Sequence, residues 1–160
     1  KINFAKVALN SVGGIIECAV IGIKPGVGSP IFDNVESKIS SIIFSIPGVK
    51  GIEFGLGFEC SKIYGSENND SFIIKNDKIS TKTNNHGGIL GGITSGMPII
   101  FKAAFKPTSS IGLEQDTVNI KTCSDEKLKI TGRHDPCIVK RAPVIVESAA
   151  AIAILDLIMD

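Results

Sequence analysis

Three short polar segments carry residue types that could do chemistry. The first is Asn84-Asn85-His86-Gly87-Gly88, running on to Gly92, and five glycines fall between Gly87 and Gly96. Glycines leave backbone N–H groups open, and a run of open amides suits phosphate or carboxylate groups. The spacing is neither GxGxxG followed by an acidic residue nor GxxxxGK[ST], so no dinucleotide fingerprint or P-loop is read here. A turn-rich crossover packed on a sheet explains the same glycines.

The second segment is Lys106-Pro107-Thr108-Ser109-Ser110. One ammonium and three hydroxyls on a loop stiffened by proline could hold a phosphate or the polar edge of a cofactor. A solvated loop is the competing reading. The third is Arg133-His134-Asp135, where the guanidinium can take a carboxylate or phosphate bidentately and the carboxylate can accept a proton. The alternative is that Arg133 and Asp135 pair with neighbouring loops and His134 is an ordinary hydrogen-bonded histidine. No GxSxG elbow is present. Cys137 follows Pro136 and adjoins an apolar run, so it reads as a buried packing cysteine rather than a nucleophile.

These segments sit between elements that must position them. Val12 to Ile23 reads as a strand that ends at Lys24-Pro25-Gly26. Asp33 to Ile46 reads as an amphipathic helix, with Val35, Ile39, Ile42, Ile43 and Ile46 on one face. Asp33 stands where a cap is expected and Glu36 at capping-box spacing. Pro47-Gly48 stops that helix, and Val49 to Phe54 and Ile99 to Phe105 read as strands. Phe72 to Ile74 and Lys78 to Thr81 suggest a small solvent-facing hairpin around Asn76-Asp77. Gln115 to Thr122 and Glu126 to Lys129 read as short strands or crossings. A last helix starts near Pro143, a favourable first-turn residue. It has no broadly polar face, so burial on more than one side is expected, in a core layer or a subunit interface. Strands and helices in this order indicate an α+β domain with helix packed on sheet.

Composition excludes several classes. The chain has 160 residues, 43% hydrophobic and 21% charged, with a formal net charge of +1. That is globular and gives no bulk attraction to nucleic acid or anionic membrane. The longest uncharged stretch of the apolar tail, Ser148 to Leu155, is far short of the ~20 residues that cross a bilayer. Cys18, Cys60, Cys123 and Cys137 form no CxxC, and only two histidines occur, so no metal site is expected. The cysteines read as reduced and the protein as intracellular.

Taken together, the motifs carry a resemblance. SVGGIIECAVIGIKPGVGSPIFD, SIPGVKGIEFG, NNHGGILGGITSGMPI, FKPTSSI and GRHDPCIVKRAPVIVESAAAI resemble, in order and spacing, the C-terminal part of the chorismate synthases. The resemblance runs from about Ser11 to Asp160. It implies an α+β fold, a β-α-β sandwich with helices packed between antiparallel sheets, of which residues 1–160 hold a C-terminal part. It implies a lyase of aromatic amino acid biosynthesis, the shikimate pathway. Phosphate is lost from 5-enolpyruvylshikimate 3-phosphate by 1,4-anti elimination, with reduced FMN required, to give chorismate.

By the same resemblance Lys106, Pro107, Thr108, Ser109 and Ser110 form the flavin loop. Gly91 approaches the flavin by its backbone, and Pro47 and Gly48 offer a further flavin contact, to a neighbouring subunit in one arrangement. Arg133 contacts cofactor and substrate, and Asp135 relays the proton; Arg133 and Asp135 are the catalytic pair. No metal, nucleic acid or membrane is involved, and the full-length enzyme is a cytoplasmic homotetramer. Family members exceed twice this length, and the GxSHG-type segment and a second catalytic histidine they carry are not in these residues. The resemblance therefore implies an incomplete site and an isolated chain without full activity. The competing reading is a non-catalytic anion-binding or assembly domain on the same scaffold.

Overall fold

A computed structural model describes residues 1–159. A short helix α1 (Ile2–Val7) precedes strand β1 (Gly14–Val20), helix α2 (Val35–Phe44) and strand β2 (Val49–Phe54). A 3-10 turn (Gly57–Lys62) and one turn of helix α3 (Gly65–Asn68) follow. Next come the ribbons β3 (Phe72–Lys75) with β4 (Lys78–Thr81), and β5 (Ile89–Leu90) with β6 (Ile93–Thr94). Strand β7 (Ile99–Phe105), the hairpin β8 (Gln115–Asn119) with β9 (Ser124–Leu128), a 3-10 turn (Ile138–Arg141) and helix α4 (Pro143–Met159) complete the order.

The core rests on β7. It lies between β1 and β2 and pairs antiparallel with both, so β1, α2 and β2 form a β-α-β unit with β7 inserted between its two strands. Along β7 burial alternates without a break, and Ile99, Phe101, Ala103 and Phe105 all face the helices. Period-two alternation is what a strand with one covered face requires. Val35, Ile39 and Ile43 of α2 close over that face, as the 3.6-residue rhythm predicts.

Alpha4 packs beside α2 through Val146, Ala149, Ala150, Ala153, Ile154 and Leu157. The Lys38 ammonium joins the two helices at 3.0 Å from Asp156. Alanines at three of these positions let the helix axes approach closely.

One local expectation changes. The α2 cap is Asn34, not Asp33: the Asn34 side chain accepts from the Ser37 amide at 2.6 Å, while Asp33 lies 3.6 Å from Lys38. An Asn one residue closer to the first turn reaches the N3 amide, and Asp33 is left to an ion pair. Within this chain α4 is buried on one face only. Its second apolar face, with Val144, Ile145, Ile152, Leu155 and Ile158, is exposed. The hairpin around Asn76-Asp77 forms as expected, both residues taking positive φ of 53° and 58°, a primed turn that matches strand twist. No helix among the described residues is long and apolar enough to cross a membrane.

Candidate functional site

The segment Lys106–Ser110 leaves the end of β7, and the chain folds two other segments onto it. The Lys106 amide donates to the Gly48 carbonyl at 2.8 Å, which sets Pro47 and Gly48 beside the start of the loop. Gly48 has a φ of +93°, and a Cβ there would lie 3.1 Å from Ile138 Cδ1. Both the conformation and the space favour glycine.

From the other side, the Thr108 hydroxyl donates to the Asp135 carbonyl at 2.9 Å. The Ser11 hydroxyl holds the Thr108 carbonyl at 2.6 Å, and the Val12 amide holds the Pro136 carbonyl at 2.9 Å. Ser110 Oγ lies 3.3 Å from His134 Nδ1, and His134 Nε2 lies 3.2 Å from the Ile130 carbonyl. A carbonyl only accepts, so Nε2 carries the proton and, in the neutral ring, Nδ1 accepts from Ser110. His134 therefore tethers the Arg133–Asp135 turn to the lysine loop, as the ordinary-histidine reading held.

Asp135 is the fixed carboxylate of this cluster. The Cys137 amide donates to Oδ1 at 3.1 Å, and the Arg141 guanidinium donates to Oδ2. The Cys137 amide first, and then the Arg141 hydrogen bond and the charges of Arg141 and Arg133, outweigh partial burial and hold the carboxyl below the usual range. Cys137 itself is buried, at 5% exposure, and packs as expected.

Beside this cluster opens a cleft of about 570 Å³. Its cations are Lys6 from α1, Arg133, Lys140 and Arg141, set against the single carboxylate Asp135. Lys106 and Arg133 are exposed, and neither has an ion-pair partner among the described residues. Such an imbalance suits a polyanionic ligand. Lys6, Lys140 and Arg141 escape sequence reasoning. Lys140-Arg141 falls in a short turn before a helix, where the string GRHDPCIVKRAPVIVESAAAI assigns the pair no role, and Lys6 lies on a helix with weak periodicity.

Gly91 is not in this cluster. Its neighbour Gly92 accepts from the Val35 amide at the start of α2, whereas Gly48 follows the end of α2. The two are separated by the length of that ten-residue helix, roughly 15 Å at 1.5 Å per residue. Gly91 has a φ of +60° and open space where a side chain would stand, so its backbone is accessible.

Just ahead of the glycines, the Asn85 and His86 amides hold an anion, and it is the chain's own. Asp70 accepts from the Thr83 hydroxyl at 2.7 Å, the Asn85 amide at 2.8 Å and the His86 amide at 3.0 Å. Partial burial would raise the Asp70 carboxyl. The Thr83, His86 and Asn85 bonds outweigh it, and the net direction is down. Asp70 ends the polar run Ser66-Glu67-Asn68-Asn69-Asp70, and nothing local signals its partners some fifteen residues away. Among the described residues no group of His, Cys, Asp or Glu gathers as a metal site would, and the four cysteines are unpaired.

A family model described as "Chorismate synthase" matches residues 1–159. The chain belongs to the chorismate synthase family. It is 50% identical over 150 residues to the chorismate synthase of Korarchaeum cryptofilum, covering 94% of this chain and 42% of that protein. To the chorismate synthase of Thermococcus kodakarensis it is 49% identical over 152 residues, covering 95% and 43%. A solved structure titled "Crystal Structure of Chorismate Synthase" superposes with a TM-score of 0.77 at 30% identity, over 98% of this chain and 40% of that one. The α+β fold with its antiparallel sheet is thus that of chorismate synthase, and the chain spans about two fifths of the length of the relatives it matches.

Proposed function

We propose that residues 1–160 are the C-terminal part of a chorismate synthase and supply its flavin loop and a proton-relaying carboxylate. The reaction is the 1,4-anti elimination of phosphate from 5-enolpyruvylshikimate 3-phosphate to chorismate. One observation carries the reading. Pro47–Gly48, Lys106–Ser110 and Arg133–Asp135, distant in sequence, meet at one end of β7 beside a cleft with four cations and one carboxylate.

The donor set fits reduced FMN, whose phosphate and ionised ring are both anionic. Lys106, Pro107, Thr108, Ser109 and Ser110 would hold its polar edge, with Pro47 and Gly48 flanking. When bound, reduced FMN supplies transient electron density and shares in taking the C6 proton. Arg133 and Lys106 gather the substrate's phosphate and two carboxylates and stabilise the charge that grows on the leaving phosphate. Asp135, ionised and oriented by the Cys137 amide, relays the proton. Gly91 offers an open backbone as a further flavin contact, made across the length of α2 from the others. Complete turnover is assigned to the longer protein, a cytoplasmic homotetramer, because the chain spans only part of its relatives.

The test is an anaerobic titration of the chain with reduced FMN, with and without 5-enolpyruvylshikimate 3-phosphate, following the flavin spectrum and chorismate. A flavin perturbation strengthened by the substrate and lost in Lys106→Ala and Arg133→Ala is expected. A response identical in wild type and both variants overturns the site. Flavin and substrate binding that also yields no chorismate in the full-length protein favours a non-catalytic anion-binding domain.

A further inference from the structure

Arg141 stands outside the residues that family resemblance assigns, yet it grips the carboxylate of the proposed relay. Its guanidinium bonds Asp135 Oδ2, while the Cys137 amide separately fixes Oδ1 at 3.1 Å. The two partners differ in exposure: the Arg141 side chain is 76% exposed and that of Asp135 is 29%. Arg141 is carried on the 3-10 turn Ile138–Arg141 and lines the same cleft as Lys6, Arg133 and Lys140. A guanidinium has five N–H donors, and one carboxylate oxygen leaves most of them open to a ligand. A phosphate dianion entering the cleft meets Arg141 at its exposed side, and a bidentate phosphate fork competes well with a contact to one carboxylate oxygen.

We propose that Arg141 is an exchange residue: it pairs with Asp135 in the ligand-free chain and swings onto the phosphate of an incoming phosphate ester. The move uncovers Asp135 Oδ2 without disordering the carboxylate, because the Cys137 amide keeps Oδ1. The inference rests on the function proposed above for what the phosphate ester is, but the exchange itself needs only an anion and this chain. In this scheme Arg141 binds the phosphate directly and, by the bond it gives up, frees Asp135. The charged and titratable groups facing Asp135 across the cleft are Lys6, Arg133, His134, Lys140 and Arg141. Of these Arg141 is the one in hydrogen-bond contact with the carboxylate.

Inorganic phosphate is the probe. The Asp135 carboxyl carbon is followed by NMR against pH in wild type, Arg141→Gln and Arg141→Lys, with and without phosphate, and amide spectra verify the fold. Removing a cation from Oδ2 moves the Asp135 midpoint upward in Arg141→Gln. Phosphate moves it upward in wild type by more than in Arg141→Gln at equal occupancy, because in wild type the anion also draws the guanidinium off Oδ2. Phosphate affinity falls roughly tenfold in Arg141→Gln, the size of one lost charged hydrogen bond, and Arg141→Lys recovers only part, since an ammonium lacks the fork. Phosphate that fails to bind, that binds with Asp135 unmoved in wild type, or that shifts Asp135 equally in Arg141→Gln overturns the exchange. No arm uses flavin or turnover, so the two readings fail separately. An Asp135 that answers phosphate in a chain that ignores reduced FMN sinks the function and keeps the exchange; the reverse sinks the exchange alone.

Discussion

The two ends of β7 both looked like anion sites, and they are built on opposite principles. At the Ile99 end the open amides of the glycine-rich segment are closed by Asp70, and the Asn84 and Asn85 side chains bond the Pro98, Glu67 and Asn68 carbonyls. The Asp70 carboxylate there is met by three internal donors. At the Phe105 end the backbone is just as firmly tied, through Gly48, Thr108 and Asp135, but of the four cleft cations only Arg141 has an ion-pair partner among the described residues. Polar groups that satisfy one another hold a fold together. Cations gathered without partners repel one another, and that cost is recovered only when an anion arrives. The balance of satisfied and unsatisfied charge, more than the presence of glycines or hydroxyls, separates the self-satisfied end from the end proposed as the site.

The most destructive change would abolish the comparison by loosening both ends together. Phe101 is fully buried at the middle of β7 and packs on Phe54 with ring centroids 5.8 Å apart. Phe101→Ala should cost about 3–5 kcal/mol in denaturant unfolding, from lost transfer energy and a residual cavity. A loss under about 1 kcal/mol would mean that β7 does not couple the ends. Asp70→Ala acts on one end alone. It strands the Asn85 and His86 amides and should cost about 2–3 kcal/mol, the range for a lost charge-assisted hydrogen bond. Hydrogen exchange at residues 83–88 should quicken while phosphate binding in the cleft stays as in wild type. A fall in phosphate binding would show that the ends are not independent. Arg133→Ala makes the converse cut. The fold should lose less than about 0.5 kcal/mol, as for other exposed side chains, while the ternary complex with reduced FMN and substrate weakens. Unchanged substrate affinity would make Arg133 structural and erase the contrast.

Those features readable in the sequence share one property: their cause is local. The α2 face, the primed turn at Asn76-Asp77, the buried β7 and the Pro143 helix start each follow from residues within a few positions. The segments Lys106–Ser110 and Arg133–Asp135 were legible as chemistry because their residue types are concentrated. What joins them was not, since Thr108 reaches Asp135 across 27 residues and Lys106 reaches Gly48 across a strand. Asp70 was hidden for the same reason, since the Asn85 and His86 amides it accepts from lie far along the chain, at the start of the segment that reads either as an anion nest or as a turn-rich crossover. The Asn34 cap shows how narrow the local margin is, since Asp33 and Asn34 are both good caps and one residue of register decides.

Acid offers the mildest way to separate the ends. Asp70 and Asp135 both have carboxyls held below the unfolded value of about 3.9. A lowered carboxylate binds fewer protons folded than unfolded, so its stabilisation is complete above that unfolded value and fades as pH falls through the folded one. The contacts made by these two carboxylates should therefore loosen below about pH 4, and neither carboxylate should respond near neutrality. The two losses differ in what they expose. Protonating Asp70 removes an acceptor from three donors, so hydrogen exchange at Asn85 and His86 should accelerate. Protonating Asp135 releases Arg141 and leaves one more unpaired cation in a cleft that already holds several, so anion binding there should strengthen at acid pH relative to the charge of the anion. Asp70→Asn should abolish the first response and spare the second. If one substitution removes both, the ends of β7 titrate as a single unit, and the division between a self-satisfied end and a ligand-seeking end has to be abandoned.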